Sequence, residues 1–415
     1  MSNWPVTRLK FHATIIAGQS PDSETVIDRG SLPFIQGCAE FGSVSPLPLK
    51  YCDSAPKRAP VDSTLLSVRA PVGTLNVADQ EIGIGRGVAA IVARSTMVPR
   101  FTVWLLHALG SRLQEWATGS TFEAVTATDV GNLPFALPSI SGQTRIANFL
   151  DEKTARIDAL IAEKERLADI LKHLRAETID NVVLGREIET RDKSLKGLDI
   201  LGSIPSDWQA SRLKYELDFV TSGSRGWADH YADEGALFIR IGNLTRDSLT
   251  LDLGDIQRVS LPSIAEGVRA RVLPGDLIIS ITAYLGSVAV VPEGIEEAYV
   301  SQHVSLARPN CARALPKWLG YVVLSRIGKT FFDLQAYGGT KIQLSLDDVR
   351  ELPVPLPAID EQKYRVAKLE NRLQEFVDLM KHVERHVILL REYRSSLISA
   401  AVTGQLNLDS FRSGL

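Results

Sequence analysis

From residue 366 to 397, apolar side chains recur at alternating steps of three and four. Val366, Leu369, Leu373, Phe376, Met380, Val383, Val387, Leu390 and Leu397 form the stripe, and Arg394 is its one break. This spacing, kept up for about four heptads, predicts a long helix with a coiled-coil seam. A noisier stripe runs through Ile146, Leu150, Ile157, Leu160, Leu167, Leu171 and Leu174, interrupted at Lys153 and Lys164. Neither stripe contains Pro or Gly, and each is followed by a glycine suited to a left-handed helix stop, Gly185 or Gly404. Helices of this kind would be roughly 60 Å long at 1.5 Å per residue. Two such seams are best buried by pairing antiparallel with each other. The plainer alternative is that each packs only on its own domain.

Elsewhere the pattern shortens to β-type runs between turn signals, over residues 1–128 and 206–347. Examples are Leu65-Leu66-Ser67-Val68, Val88-Ala89-Ala90-Ile91-Val92, Phe238-Ile239-Arg240-Ile241 and Leu277-Ile278-Ile279-Ser280-Ile281. Gly73 and Gly286 stand at matching distances after Ser67 and Ser280 and mark a shared turn. Helical pieces are expected at Phe101–Trp116 and Pro316–Leu334.

These two kinds of segment alternate because the chain repeats itself at a spacing of about 219 residues. From Ala117 it reads ATGSTFEAVTATDVGNLPFALPSISGQ, and from Ala336 AYGGTKIQLSLDDVRELPVPLPAIDEQ. The register continues to Gly185 and Gly404. A fainter echo opens each half, Trp4 with Arg8-Leu9-Lys10-Phe11 and Trp208 with Arg212-Leu213-Lys214-Tyr215. Each half therefore has a variable body and a constant tail, unlike a solenoid of short repeats. The expected fold is α+β: two α/β recognition domains joined by two long antiparallel coiled-coil helices, with a pseudo-two-fold internal repeat. The expected boundaries are 1–138, a helical region 139–185, a linker 186–205, a second domain 206–357 and a second helical region 358–415.

Composition narrows the chemistry. At 415 residues with 45% hydrophobic and 23% charged positions, the chain is globular and long enough for several modules. Its net charge of -3 makes it no polycation, although a local basic groove is allowed. Cys38, Cys52 and Cys311 are too few and too far apart for a disulfide framework or a zinc cluster. No metal site is expected. The first residues lack a signal-peptide core, and the most apolar stretch, Leu277–Val291, is broken by Ser280, Thr282, Gly286 and Ser287. A cytoplasmic protein that does not engage membranes is expected.

Candidate catalytic motifs fail one by one. Asn132-Leu133-Pro134-Phe135 is one substitution from the Asn-Pro-Pro-Phe loop of amino-methyltransferases, but its repeat partner, Glu351-Leu352-Pro353-Val354, keeps only Leu-Pro. Gly328-Lys329-Thr330 ends like a phosphate-binding loop, yet Val323 occupies the earlier glycine position. The run Gly83-Ile84-Gly85-Arg86-Gly87 has no helical pattern after it. His230 and His303 lack a convincing catalytic partner. No catalytic residue and no cofactor of its own is expected for this chain.

The order variable–constant–variable–constant, with Gly-x-Thr and then Leu-Pro-x-x-Leu-Pro-x-x-x-x-x-Gln leading into each helix, resembles the specificity (HsdS) subunit of type I restriction-modification enzymes. The likeness spans essentially the whole chain. One departure is local: Ser141-Gly142-Gln143 lacks the glutamate that Asp360-Glu361-Gln362 keeps before the glutamine. The resemblance implies a non-catalytic protein that reads a bipartite sequence in double-stranded DNA, one half per domain, with the helical rod setting the spacer. It implies two methyltransferase (modification) subunits as partners, which bind S-adenosylmethionine, and motor-nuclease subunits. Helix faces outside the seam, and apolar positions such as Phe149, would be docking surfaces. The competing reading is a two-headed coiled-coil scaffold that binds proteins.

Arg on guanine, Asn or Gln on adenine, and Ser, Thr or Lys on phosphate are the favoured DNA contacts. On that basis the candidates in the first body are Gln19, Ser20, Arg69, Arg86, Ser120 and Thr121. In the second they are Ser224, Arg225, Arg240, Asn243, Tyr284, Gln302, His303, Thr340 and Lys341. They sit at turns after apolar runs, where a rigid scaffold can project them.

Overall fold

A computed structural model describes residues 4–117, 124–187, 192–195, 199–223, 226–260, 264–337 and 342–408. The chain divides into two compact units, Met1–Arg166 with Val383–Leu415, and Leu167–His382. Both long helices are continuous, Ile140–Val183 and Ile359–Val402, 44 residues each. The first ends with Gly185 at φ 61° and the second with Gly404 at φ 71°. At each end the chain turns back on itself: Arg186 N–H donates to Asn181 O at 2.8 Å, and Gln405 N–H to Ala400 O at 3.0 Å.

In the first unit, an antiparallel sheet has the order Ala13–Ala17, Val88–Ala93, Thr64–Ser67, Leu75–Val77. A second sheet runs Lys50–Tyr51, Pro33–Ile35, Ile82–Ile84, Arg58–Ala59, with one parallel pair, Pro33–Ile35 beside Ile82–Ile84. Helices Pro99–Ala108 and Gly110–Trp116 follow. The second unit repeats this plan. Its antiparallel sheet is Leu217–Ser222, Val304–Pro309, Leu277–Ser280, Val288–Val290. Its mixed sheet is Tyr231–Ala232, Gln257–Val259, Ala236–Ile239, Ala298–Val300, again with one parallel pair. Helices Pro316–Leu324 and Arg326–Gln335 follow. Each of the four apolar runs singled out in the sequence supplies a largely buried strand, but Val68, Arg240, Ile241 and Ile281 lie past its end, and Ile241 opens a 3-10 turn, Ile241–Asn243.

The Leu-Pro segments do more than delay the helix. Pro134–Ala136 pairs antiparallel with Val6–Arg8, and Pro353–Leu356 with Gln209–Arg212. The faint echo that opens each half is thus one side of a ladder whose other side lies in the constant tail. Just before each tail strand comes a short capped helix. Thr126 and Ser345 hydroxyls accept the N–H of Asp129 and Asp348, and each aspartate accepts its cap's N–H in return.

Within each unit the long helices run antiparallel. In the first, Ile157, Leu397, Ile398 and Ala401 share one core with Leu9, Phe101 and Leu105. In the second, Ile179, Val182, Val366, Leu369 and Leu373 pack with Trp208, Trp318 and Phe332. A fully buried Leu or Ile of such a seam contributes about 1.5–3 kcal/mol. The expected break at Arg394 has a partner: its guanidinium meets Asp158 of the facing helix at 2.8 and 3.1 Å. Two expectations are corrected. Leu174, placed on the stripe, is exposed. Phe149, offered as an exposed docking residue, is half-buried against the first core. The segment read as a linker also carries structure: Lys193–Leu195 pairs with Ser203–Pro205, and Leu201 and Ile204 are buried in the second core. Among the described residues, no helix is long and apolar enough to cross a membrane.

Candidate nucleic-acid interface

Each body gathers four loops at one end, and two backbone bonds recur in both. In the first body the strand Ala13–Ala17 runs into Gly18, whose N–H donates to Val88 O at 2.9 Å, and Gln19 N–H donates to Ile84 O at 3.0 Å. A Cβ on Gly18 would lie 2.1 Å from Gly85 O, so no side chain fits there. Gly85 N–H reaches Ile35 O at 2.8 Å, and Gly87 accepts Val68 N–H at 3.0 Å. In the second body Ser301 N–H reaches Ile239 O at 2.9 Å, and His303 accepts Ile281 N–H at 3.2 Å. Gly223 takes the place of Gly18; a Cβ on it would lie 1.9 Å from Val300 O. Gln36 and Arg240 therefore occupy one position, Arg86 and Gln302 another, and Arg69 and Thr282 a third.

The turn at Gly73 and Gly286 is built alike. Ser67 Oγ donates to the carbonyls of Arg69 and Pro71, both at 2.7 Å, and Ser280 Oγ to that of Thr282 at 2.8 Å. The two glycines have φ 95° and 75°, which favours a residue without Cβ. Arg69 bridges to Ala124, and Thr282 to Gln343, so a residue downstream of each Gly-x-Thr sequence is tied to this loop.

The sequence-chosen residues fall into three groups. Gln19, Ser20, Arg69 and Arg86 come together in the first body, with Gln19, Arg69 and Arg86 exposed. In the second body Gln302 and His303 follow the strand Ala298–Val300, Arg240 follows the strand parallel to it, and Tyr284 stands on the turn after Leu277–Ser280. There Gln302, His303, Thr282, Tyr337 and Gln343 line an open hollow of about 860 Å³. Arg240 also meets Asp255 at 3.5 Å. Asn243 is different. It is buried, its carbonyl oxygen accepts Arg240 N–H at 2.9 Å, and its amide donates to Asp252 O and Asp255 O, each at 2.9 Å. Its side chain is committed to its own loop and leaves the candidate set on that ground. Ser120, Thr121, Ser224, Arg225, Thr340 and Lys341 lie outside the described residues.

Sequence reasoning overlooked Gln36, whose Nε2 donates to Ser20 Oγ at 2.8 Å. The signal was present: Pro33-Phe34-Ile35-Gln36 parallels Leu237-Phe238-Ile239-Arg240. It also treated Gln143 and Gln362 as a bare motif. Both are fully buried, at 0% exposure. Gln143 accepts Val98 N–H at 2.8 Å and donates to Thr96 O at 3.1 Å and Pro138 O at 3.0 Å. Gln362 accepts Leu315 N–H at 2.8 Å and donates to Arg313 O at 3.3 Å and Pro357 O at 2.9 Å. Each glutamine thereby locks the start of its long helix to the start of its body's helical pair, Pro99–Ala108 or Pro316–Leu324. An amide is the one neutral side-chain group that accepts and donates twice in this way.

The methyltransferase-like Asn132 has a structural role. Its oxygen accepts Lys10 Nζ at 2.9 Å and Arg8 at 3.5 Å. Glu351 takes the same bonds from Lys214, at 2.5 Å, and from Arg212. Hydrogen bonding first to Lys214 and then to Arg212 holds the Glu351 carboxyl below its usual range. The glycines at 83 and 85 serve close packing: a Cβ would come within 2.7 Å of Ala55 Cβ and 2.4 Å of Gln36 Oε1.

Residues 1–170 and 231–387 match the type I restriction modification DNA specificity domain. Over 176 residues the chain is 34% identical to a putative type I restriction enzyme MjaX specificity subunit of Methanocaldococcus jannaschii, covering 41% of each chain. Over 278 residues it is 24% identical to the type I restriction enzyme EcoBI specificity subunit of Escherichia coli, covering 65% of this chain and 58% of that one. The chain thus spans less than two thirds of the length of these curated relatives. Among solved structures, a chain from work on complex assembly and conformational transition of the type I R-M system superposes with a TM-score of 0.71 at 18% identity, covering 97% of this chain and 98% of the other. The HsdS subunit from Thermoanaerobacter tengcongensis gives 0.54 at 19%, covering 97% of each. Both likenesses are likenesses of fold.

Proposed function

Because the chain belongs to the type I restriction modification DNA specificity family, we propose that it is the non-catalytic DNA-specificity subunit of a restriction-modification complex. Each body reads one half of a bipartite target in double-stranded DNA. The observation that carries this reading is the duplicated loop cluster: one backbone scaffold displays Gln36, Arg69 and Arg86 in the first body and Arg240, Thr282 and Gln302 in the second. Equal scaffolds with unequal side chains are what reading two different half-sites requires. Gln19, Ser20, Tyr284 and His303 belong to the same surfaces.

The domains are taken as 1–138 and 206–357, with helical regions 139–185 and 358–415 and a connection at 186–205. The two uninterrupted helices support a role in setting the spacer between half-sites. Helix faces outside the seams would dock two modification subunits, and a motor-nuclease subunit would join through them. The chemistry and its cofactors then belong to those cytoplasmic partners.

Titration against a duplex library with varied half-sites and spacers, at two salt concentrations and with or without a co-expressed modification subunit, tests the proposal. The expected result is sequence preference in both halves at a fixed spacer, with affinity falling as salt rises. Binding without sequence preference at any salt overturns it in favour of a protein-binding scaffold. An insertion in the 186–194 connection should alter the tolerated spacer and leave both half-site sequences unchanged.

A further inference from the structure

We propose that Arg246 is a base-reading residue of the second body, held by Tyr284 in the pose that bonds the major-groove edge of a guanine. This deepens the DNA-specificity reading and rests on it. The guanidinium carbon of Arg246 lies 3.4 Å from the centroid of the Tyr284 ring. At that separation the planar group lies flat on the ring, so its N–H donors spread in its own plane and stay free of the stack. Tyr284 is itself 54% exposed, on the turn that carries Thr282 and ends at Gly286. The stack therefore stands at the reading end of the second body.

Other guanidiniums of the second body already have carboxylates. Arg258 meets Glu296 at 2.9 Å, Arg308 meets Asp276 at 2.8 Å, and Arg313 meets Glu216 at 3.1 Å. Arg246 is exposed and, among the described residues, has no carboxylate in ion-pair reach. The adjacent Asp247 is held by Arg175 of the first long helix at 3.5 Å. The loop beneath is fixed as well. Ser248 Oγ bonds both Thr245 Oγ1 and Thr250 Oγ1 at 2.7 Å, and buried Leu249 accepts Val290 N–H at 2.9 Å. A donor fork on a fixed loop, braced by an aromatic face, gives up little freedom on binding. Guanine offers the matching pair of acceptors, N7 and O6. In the first body the corresponding loop, residues 41–50, has no arginine, and Pro71 replaces Tyr284.

The experiment compares the full chain with Arg246→Ala, Tyr284→Phe and Tyr284→Ala, in the library titration above and in the form that shows wild-type sequence preference. Arg246→Ala is expected to relax one G·C position of one half-site by roughly 5- to 150-fold and leave the other half-site as it was. Tyr284→Phe should keep the preference, because the ring face remains, and Tyr284→Ala should fall between. Two results overturn the inference. One is an Arg246→Ala chain with unchanged preference. The other is equal weakening for every sequence with a salt slope reduced by about one, which marks a phosphate contact. A wild-type chain without sequence preference would instead remove the proposed function itself, so the two failures are distinguishable.

Discussion

In the first body, the loop that follows Pro33–Ile35 exposes Val44, Leu47 and Leu49 around Pro46 and Pro48. In the second, the loop after Ala236–Ile239 carries Thr245, Arg246, Asp247 and Ser248. Yet both loops hang from the same bond, Val77 N–H to Val44 O and Val290 N–H to Leu249 O, each at 2.9 Å. The scaffold is held constant and the surface chemistry is free to change. Residues that make the scaffold recur as Ser67 and Ser280, Gly73 and Gly286, Gln143 and Gln362. Residues displayed on it do not: Gln36 of the first body corresponds to Arg240 of the second, Arg86 to Gln302, and Pro71 to Tyr284. Separating the two sets lets the displayed side chains of one body change without refolding it.

The comparison breaks most visibly at the buried glutamines. Gln362→Leu leaves the Leu315 N–H and two carbonyls without their partner and should destabilise the second unit by about 3 kcal/mol. Gln143→Leu should do the same in the first unit, and hydrogen exchange on the full chain would show each loss confined to its own body. If Gln362→Leu loosened the first body instead, the two clamps would not be equivalent.

A smaller effect is expected at the close approaches. Gly223→Ala forces a Cβ against Val300 O and should cost about 1–3 kcal/mol in denaturant unfolding. Gly37→Ala meets nothing within 4 Å and serves as the neutral control. Next comes Arg394. Because the Asp158 pair is partly exposed, Arg394→Ala should cost only about 1 kcal/mol, and a double-mutant cycle with Asp158→Ala should show coupling.

The mildest contrast is one of pH. Glu351 has a carboxyl held below its unfolded range, so its contribution is present above that range. It is lost as pH falls through the lowered folded value. Asn132, in the same place, does not titrate. Exchange protection of the Gln209–Arg212 ladder should therefore fall as the pH drops below the usual glutamate range, while the Val6–Arg8 ladder lacks that step.

Much of this architecture was legible because its signals are local or periodic. The apolar runs at 65–68, 88–92 and 277–281 and the first half of 238–241 became strands, and the heptad stripes became the two long helices. What stayed hidden depends on partners far along the chain. Gln362 bonds groups at 313 and 315, some 47 residues away, and Arg394 bonds Asp158 across 236 residues. Spacing alone could not show why either polar residue sits in an apolar setting. Among the candidate readers, exposure could be guessed from turn position. Asn243 was misjudged because a turn asparagine bonds its own loop as readily as a ligand. Arg246 escaped notice because its bracing ring lies 38 residues further on.

One unit is continuous in sequence and the other is not: Leu167–His382 forms a single run, whereas Met1–Arg166 shares its seam with Val383–Leu415. During synthesis at roughly 5–20 residues per second, Leu150 and Ile157 wait roughly 12 to 50 s for Leu397, Ile398 and Ala401 to be made. The middle of the polypeptide can complete its core first, and the segment made earliest finishes last.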